Sequence, residues 1–118
     1  MADDEYDKRF WNDLDQLVVK HKIVIDRPKG SAHPRFDSIV YPLNYGYLEG
    51  TSAIDGNGVD VWVGSVPDPR VVGALVTVDL YKRDAEIKIL VGCTEDEIQL
   101  PLGVSNTESQ SAILLRRF

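Results

Sequence analysis

From residue 3 to about residue 21 the apolar side chains Phe10, Trp11, Leu14, Leu17 and Val18 recur at helical spacing, with acids in the first turns where the helix dipole favours them. The pattern predicts one amphipathic helix with a solvated acidic face. Beyond it the chain changes to short β-branched runs broken by Gly and Pro, which predicts strands at 22–26, 41–48, 59–64, 71–80 and 86–91. Five short strands without intervening helices predict a mainly β fold, a small, partly closed antiparallel barrel that disposes of exposed edges. Thr94-Glu95-Asp96-Glu97 has the form of a capping box, and Pro101 limits its helix to about a turn and a half. Ser105-x-x-Glu108 repeats the form and predicts a C-terminal helix holding Ala112, Ile113, Leu114 and Leu115, with Arg116 and Arg117 at its end. No repeat, linker or low-complexity tract interrupts residues 1–118, which are read as a single domain.

Alternate side chains of a strand share a face, so parity says which polar residues converge. In 59–63 the three valines form the core face, while Asp60 and Trp62 point the other way. In 86–91 Ile87, Ile89 and Val91 are core, while Glu86 and Lys88 project together. Tyr41, Tyr45 and Tyr47 fall on one face; they serve as sheet packing or, through their phenols, as donors at the rim of an apolar pocket.

Composition narrows the partners. Thirteen Lys and Arg stand against 19 Asp and Glu, a net charge of −6 that argues against a general nucleic-acid binder. The acidity is peripheral: residues 1–15 carry −4 and Glu95-Asp96-Glu97 −3, whereas residues 16–94 hold nine acids and nine bases. A balanced centre of this kind suits metal ions and an anion together, or simply a mixed solvated surface. No apolar run approaches the about 18 residues of a membrane span, and Met1-Ala2-Asp3-Asp4-Glu5 is not a signal sequence, so a cytoplasmic location with no membrane partner is expected. The lone Cys93 forms no internal disulfide and reads as a small semi-buried residue rather than a nucleophile.

Two segments concentrate polar chemistry. Asp55, Asn57 and Asp60 bring three oxygen-bearing side chains together around the Asp55-Gly56-Asn57-Gly58 turn, a donor set that suits Mg²⁺ but serves equally well as a plain hairpin connection. The irregular stretch 26–37 spreads Arg27, Lys29, His33 and Arg35 along a Pro- and Gly-stiffened loop, either an anion-binding loop or a solvated one. Serine-nucleophile elbows and glycine-rich phosphate loops are both missing.

Tyr41-Pro42-Leu43-Asn44-Tyr45-Gly46-Tyr47 followed by Asp55-Gly56-Asn57-Gly58-Val59-Asp60-Val61 resembles the signature of the soluble family I inorganic pyrophosphatases, and the likeness runs from about Ile23 to Val91. The resemblance implies an OB-like five-stranded barrel whose mouth binds Mg²⁺ and pyrophosphate and a hydrolase working through metal-activated water; members of that family often assemble, so a homo-oligomer is one option the sequence leaves open. It implies Asp55, Asn57, Asp60 and Glu86 as metal positions, Asp60, Tyr45 and Lys88 as catalytic, and Arg35, Tyr45 and Lys88 as phosphate contacts. Tyr41 and the replacement loop residues Arg27, Lys29 and His33 complete the expected substrate-binding set. Asp26 and Asp37 fall on two further acidic positions of the pattern. The chain departs from the pattern at Asn57, which replaces an Asp, and at Tyr81, which replaces a metal-binding Asp for which Asp79 or Asp84 could substitute. It also lacks a hairpin after Asp37 and a later Tyr-Lys pair, which marks it as a shortened, divergent relative. The departures leave a second reading, a catalytically weak module that binds phosphate or a phosphorylated metabolite on the same barrel.

Overall fold

The computed structural model describes residues 2–53 and 56–118, and Asp55 therefore lies outside the described residues. The helix α1 (Ala2–Val19) is followed by β1 (Ile23–Arg27), β2 (Asn44–Leu48), β3 (Val59–Val63), β4 (Val71–Asp79), β5 (Asp84–Val91), α2 (Glu95–Val104) and β6 (Gln110–Arg116). The strands form one sheet in the order β1-β2-β3-β5-β4-β6. Every neighbouring pair is antiparallel except β3 and β5, which run parallel with Asp60 opposite Lys88.

Three expectations need correction. There are six strands rather than five, the sheet ends in two edges rather than closing, and its centre contains a parallel pair. The expected C-terminal helix is strand β6. Its Ala112 and Leu114 turn inward while Ser111, Ile113 and Leu115 face out, an alternation that fits the free edge of β4, whose seven residues from Gly73 to Asp79 it pairs. Glu108 adopts φ of 56° in the turn before it, so the Ser105-x-x-Glu108 segment makes a loop instead of a cap. Arg116 and Arg117 then pair with Glu95 and Asp15, tying β6 to both helices.

The Thr94 capping box forms as expected: Glu97 N donates to Thr94 Oγ1 at 3.2 Å and Thr94 N to Glu97 Oε1 at 2.9 Å. Yet α2 continues through Pro101 to Val104, because the fully buried proline contributes packing that offsets its one missing helical hydrogen bond.

Each face of the sheet carries a core. On one, Val18 of α1 packs with Leu48, Val61, Val71, Ile89 and Val91, supported by Trp11, Leu14 and Leu17. On the other, Leu43, Trp62, Leu75, Leu90, Cys93 and Ile98 pack beneath α2. The valines of β3 face the first core as parity predicts, but Trp62 is buried too, at the centre of the second. Each such fully buried aliphatic side chain is worth about 1.5–3 kcal/mol. Gly46 explains the glycine of the tyrosine-rich segment: a Cβ there would lie 1.8 Å from the Val24 carbonyl oxygen, so only glycine lets β1 and β2 approach. Among the described residues no helix is long and apolar enough to cross a membrane.

Candidate active site

A cleft of about 620 Å³ opens on the α2 side of the sheet, and its floor is the polar end of that face. Parallel pairing sets Asp60 beside Lys88, and antiparallel pairing sets Tyr47 beside Asp60 and Glu86 beside Thr77. Lys88 Nζ donates to Tyr45 Oη at 2.6 Å and to Asp60 Oδ2 at 3.2 Å, and lies 3.5 Å from Glu86 Oε2. The side chains of Lys88 and Glu86 are only 11% and 8% exposed, so this is an interior ion cluster with formal charge −1. Desolvation offsets much of the attraction in such a cluster, so its net contribution to stability is small.

Burial alone would favour the neutral amine of Lys88, but the Tyr45 oxygen, Asp60 and Glu86 outweigh it, and the ammonium is held charged. Burial keeps Tyr45 a neutral phenol, its hydroxyl hydrogen-bonded to Asp60 as well as to Lys88. The ring of Tyr45 lies 4.6 Å from that of Trp62 and 5.4 Å from that of Tyr41, so aromatic packing fixes the phenol in place.

The loop 28–41 forms one wall. His33 Nδ1 accepts from the backbone N–H of Arg35 and of Phe36, each at 3.1 Å, and its ring stacks on Tyr41 at 6.0 Å. Burial first, then the positive charges of Arg35, Arg27, Lys82 and Lys88, lowers the His33 pKa and keeps the ring neutral. Four cations thus act on one uncharged imidazole at this wall. Arg27 and Arg35 line the cleft, with Arg27 6.0 Å from the Tyr41 ring.

The structure brings together Tyr41, Tyr45, Asp60, Glu86, Lys88, Arg27, His33 and Arg35 of the expected set, with Asn57 and Asp26 on the same cleft. Lys29 and Asp37 are exposed and do not line it; the backbone N–H of Lys29 is used instead to hold Asn44 Oδ1 at 2.9 Å. Asp79 lines the cleft but is committed to the β4–β5 turn, its Oδ1 accepting from Tyr81 N, Lys82 N and Ser109 Oγ. Burial opposes ionisation of Asp79, and these hydrogen bonds override it and lower its pKa. Cys93 is buried, its thiol pushed up to about 12 by burial and by Glu97, which leaves it inert.

The donor chemistry fits a hard divalent cation. Asp60 and Glu86 supply two carboxylates and Asn57 an amide oxygen on the same cleft, and Mg²⁺ takes one or two protein carboxylates with water and phosphate completing its shell. Among the described residues no three His, Cys, Asp or Glu side chains are grouped to hold a metal by themselves, and Lys88 sits against both carboxylates.

Sequence reasoning missed the far wall, where Val104, Ser105 and Thr107 border the cleft, because that segment reads as a helix start. It also missed the engagement of Tyr81 with Arg35, whose guanidinium carbon lies 4.4 Å from the Tyr81 ring centre. The departure at Tyr81 was the available signal.

Fold and cleft together define a small mainly β protein with an interior carboxylate–lysine cluster in a cleft lined by both carboxylates and cations. Comparison with known proteins narrows the class. Over 60 residues the chain is 38% identical to an inorganic pyrophosphatase of Geobacillus stearothermophilus, covering 44% of this chain and 36% of that protein. Over 77 residues it is 40% identical to that of Yersinia pestis, covering 56% and 44%. The solved inorganic pyrophosphatases of Helicobacter pylori (TM-score 0.58, 17% identity, 80% of this chain and 81% of that one) and Coxiella burnetii (0.53, 19%, 78% and 81%) share its fold. No family model matches the chain. It is a divergent relative of the inorganic pyrophosphatases, and the match spans less than half the length of these two curated relatives.

Proposed function

We propose that the chain hydrolyses inorganic pyrophosphate, or a closely related phosphoanhydride, with Mg²⁺ as cofactor. The observation that carries this reading is the Asp60–Lys88–Glu86 cluster with Tyr45 at the floor of a cleft edged by Arg27 and Arg35. Asp60 and Glu86, with Asn57 and Asp55, would hold the cation, which when bound supplies positive charge to the phosphoryl oxygens and a more acidic water. Lys88 and Arg35 hold phosphate oxygens and stabilise charge that builds on the departing phosphate. Tyr45 keeps the Lys88 ammonium in place by accepting its hydrogen bond, and burial keeps the phenol itself protonated. His33, neutral and tied to its own loop, adds shape without competing charge.

The test is phosphate release from pyrophosphate at micromolar protein over several pH values. Release that requires Mg²⁺ and vanishes in Asp60→Ala is expected; release no greater than a metal-only blank overturns the reading. Asn57 favours a second one, since an amide offers neither charge nor a basic site, namely a phosphate-binding module on the same fold. That module would bind pyrophosphate in a calorimeter while releasing no phosphate.

A further inference from the structure

Tyr81 is 70% exposed and has no place in either core. Its backbone is nevertheless fixed: Asp79 Oδ1 accepts from Tyr81 N at 3.0 Å and from Lys82 N at 3.1 Å, and Ser109 Oγ anchors the same oxygen at 2.8 Å. The guanidinium of Arg35, which lines the cleft, reaches this ring: its carbon lies 4.4 Å from the Tyr81 ring centre and 4.9 Å from that of Phe36. The loop end of this contact is fixed as well, because His33 Nδ1 accepts from both Arg35 N and Phe36 N. The arginine is thus fixed at its backbone N–H, and its guanidinium touches two rings.

A guanidinium stacked through its faces keeps the N–H donors on its edge for an anion, and a side chain already ordered loses less freedom on binding. We propose that Tyr81 is a positioning residue for phosphate binding, pressing Arg35 against Phe36 so that its guanidinium meets phosphate pre-aligned. Where the family pattern expects an acidic metal ligand, this chain uses an aromatic ring to steady a cation of its own. The inference rests on the phosphate-hydrolysing reading of the same cleft.

Turnover of pyrophosphate with Mg²⁺ and calorimetric titration with imidodiphosphate test it, using wild type, Tyr81→Ala, Tyr81→Phe, Arg35→Ala and the double variant Tyr81→Ala/Arg35→Ala. Loss of an exposed cation–π contact predicts KM and Kd higher by roughly two- to fivefold in Tyr81→Ala, with kcat little changed. Tyr81→Phe restores both constants, and the double variant is no weaker than Arg35→Ala alone. In ¹H–¹⁵N spectra the Arg35 Nε–H resonance lies upfield in wild type and Tyr81→Phe, and moves towards the free-arginine position in Tyr81→Ala. Unchanged constants in Tyr81→Ala, or losses that add to those of Arg35→Ala, overturn the clamp while leaving the hydrolase reading intact. A wild-type protein that neither binds nor hydrolyses either compound overturns the hydrolase reading and the clamp with it.

Discussion

Lys88 and Ile89 are neighbours in β5, yet one projects into the cleft and the other into the core beneath α1. The two faces of the sheet have been put to different uses. Beneath α1 the contacts are apolar from Val18 to Val91, and shape and burial alone decide which residues fit. Opposite, the packing of Trp62, Leu75 and Leu90 gives way within one strand length to Asp60, Glu86 and Lys88. There the adjoining apolar packing keeps water from the ions, which strengthens their electrostatic interactions at a cost in stability.

The largest break in this comparison comes from Lys88→Ala. Removing a preorganised cation is expected to lower pyrophosphate turnover by roughly 10²–10³-fold. It also leaves Asp60 and Glu86 buried without their cation, costing about 3–5 kcal/mol in denaturant unfolding. Ile89→Ala, one residue along, should cost about 2–5 kcal/mol of stability while leaving turnover per folded molecule near wild type. If Ile89→Ala lowered turnover of the folded protein as strongly as Lys88→Ala, the division of labour between the faces would be lost.

Asn57→Asp sharpens the polar face further. A restored carboxylate should raise turnover, by roughly tenfold if it is worth about 1.4 kcal/mol in the transition state. No gain in steady-state assays would mean that the cleft has been refitted to another ligand.

The smallest effect is a pH dependence of the cleft wall. His33 has a folded-state pKa below its ordinary 6.5, through burial and then Arg35 and Arg27. The unfolded loop therefore takes up the proton first as pH falls. The stability of the wall is complete above about pH 6.5 and declines below it. Amide protection of Arg35 and Phe36, which donate to the His33 ring nitrogen, should fall first on acidification from about pH 7.5 to 5. Uniform protection across that range would remove His33 from this role.

What could be read in the chain follows from which forces act locally. Helix α1 and strands β2 to β5 carry their periodicities openly, so the Asp60/Trp62 and Glu86/Lys88 faces were legible from parity alone. The segment 105–116 was not, because Ala112-Ile113-Leu114-Leu115 suits a helix or a strand equally and the vacant edge of β4 decides between them. Similarly, no local pattern says that β3 meets β5 rather than β4, so the partly closed, all-antiparallel barrel was the wrong extrapolation from five correctly located strands. The floor of the cleft was legible because its residues recur at fixed strand positions. The grip of Tyr81 on Arg35 was not, since it joins a loop to a turn 46 positions away in sequence.

The parallel pairing of β3 with β5 has a consequence for how the chemistry comes into being. β4 and β5 close across a tight turn, and β2 and β3 are separated by only ten residues, whereas Asp60 and Lys88 are 28 residues apart. Loop-closure entropy places such a distant pairing after the local hairpins. The ion cluster straddles that seam, Tyr45 and Asp60 belonging to the earlier half of the chain and Glu86 and Lys88 to the later one. Neither half alone holds the cluster, so its four side chains come together only when the two halves have paired along β3 and β5.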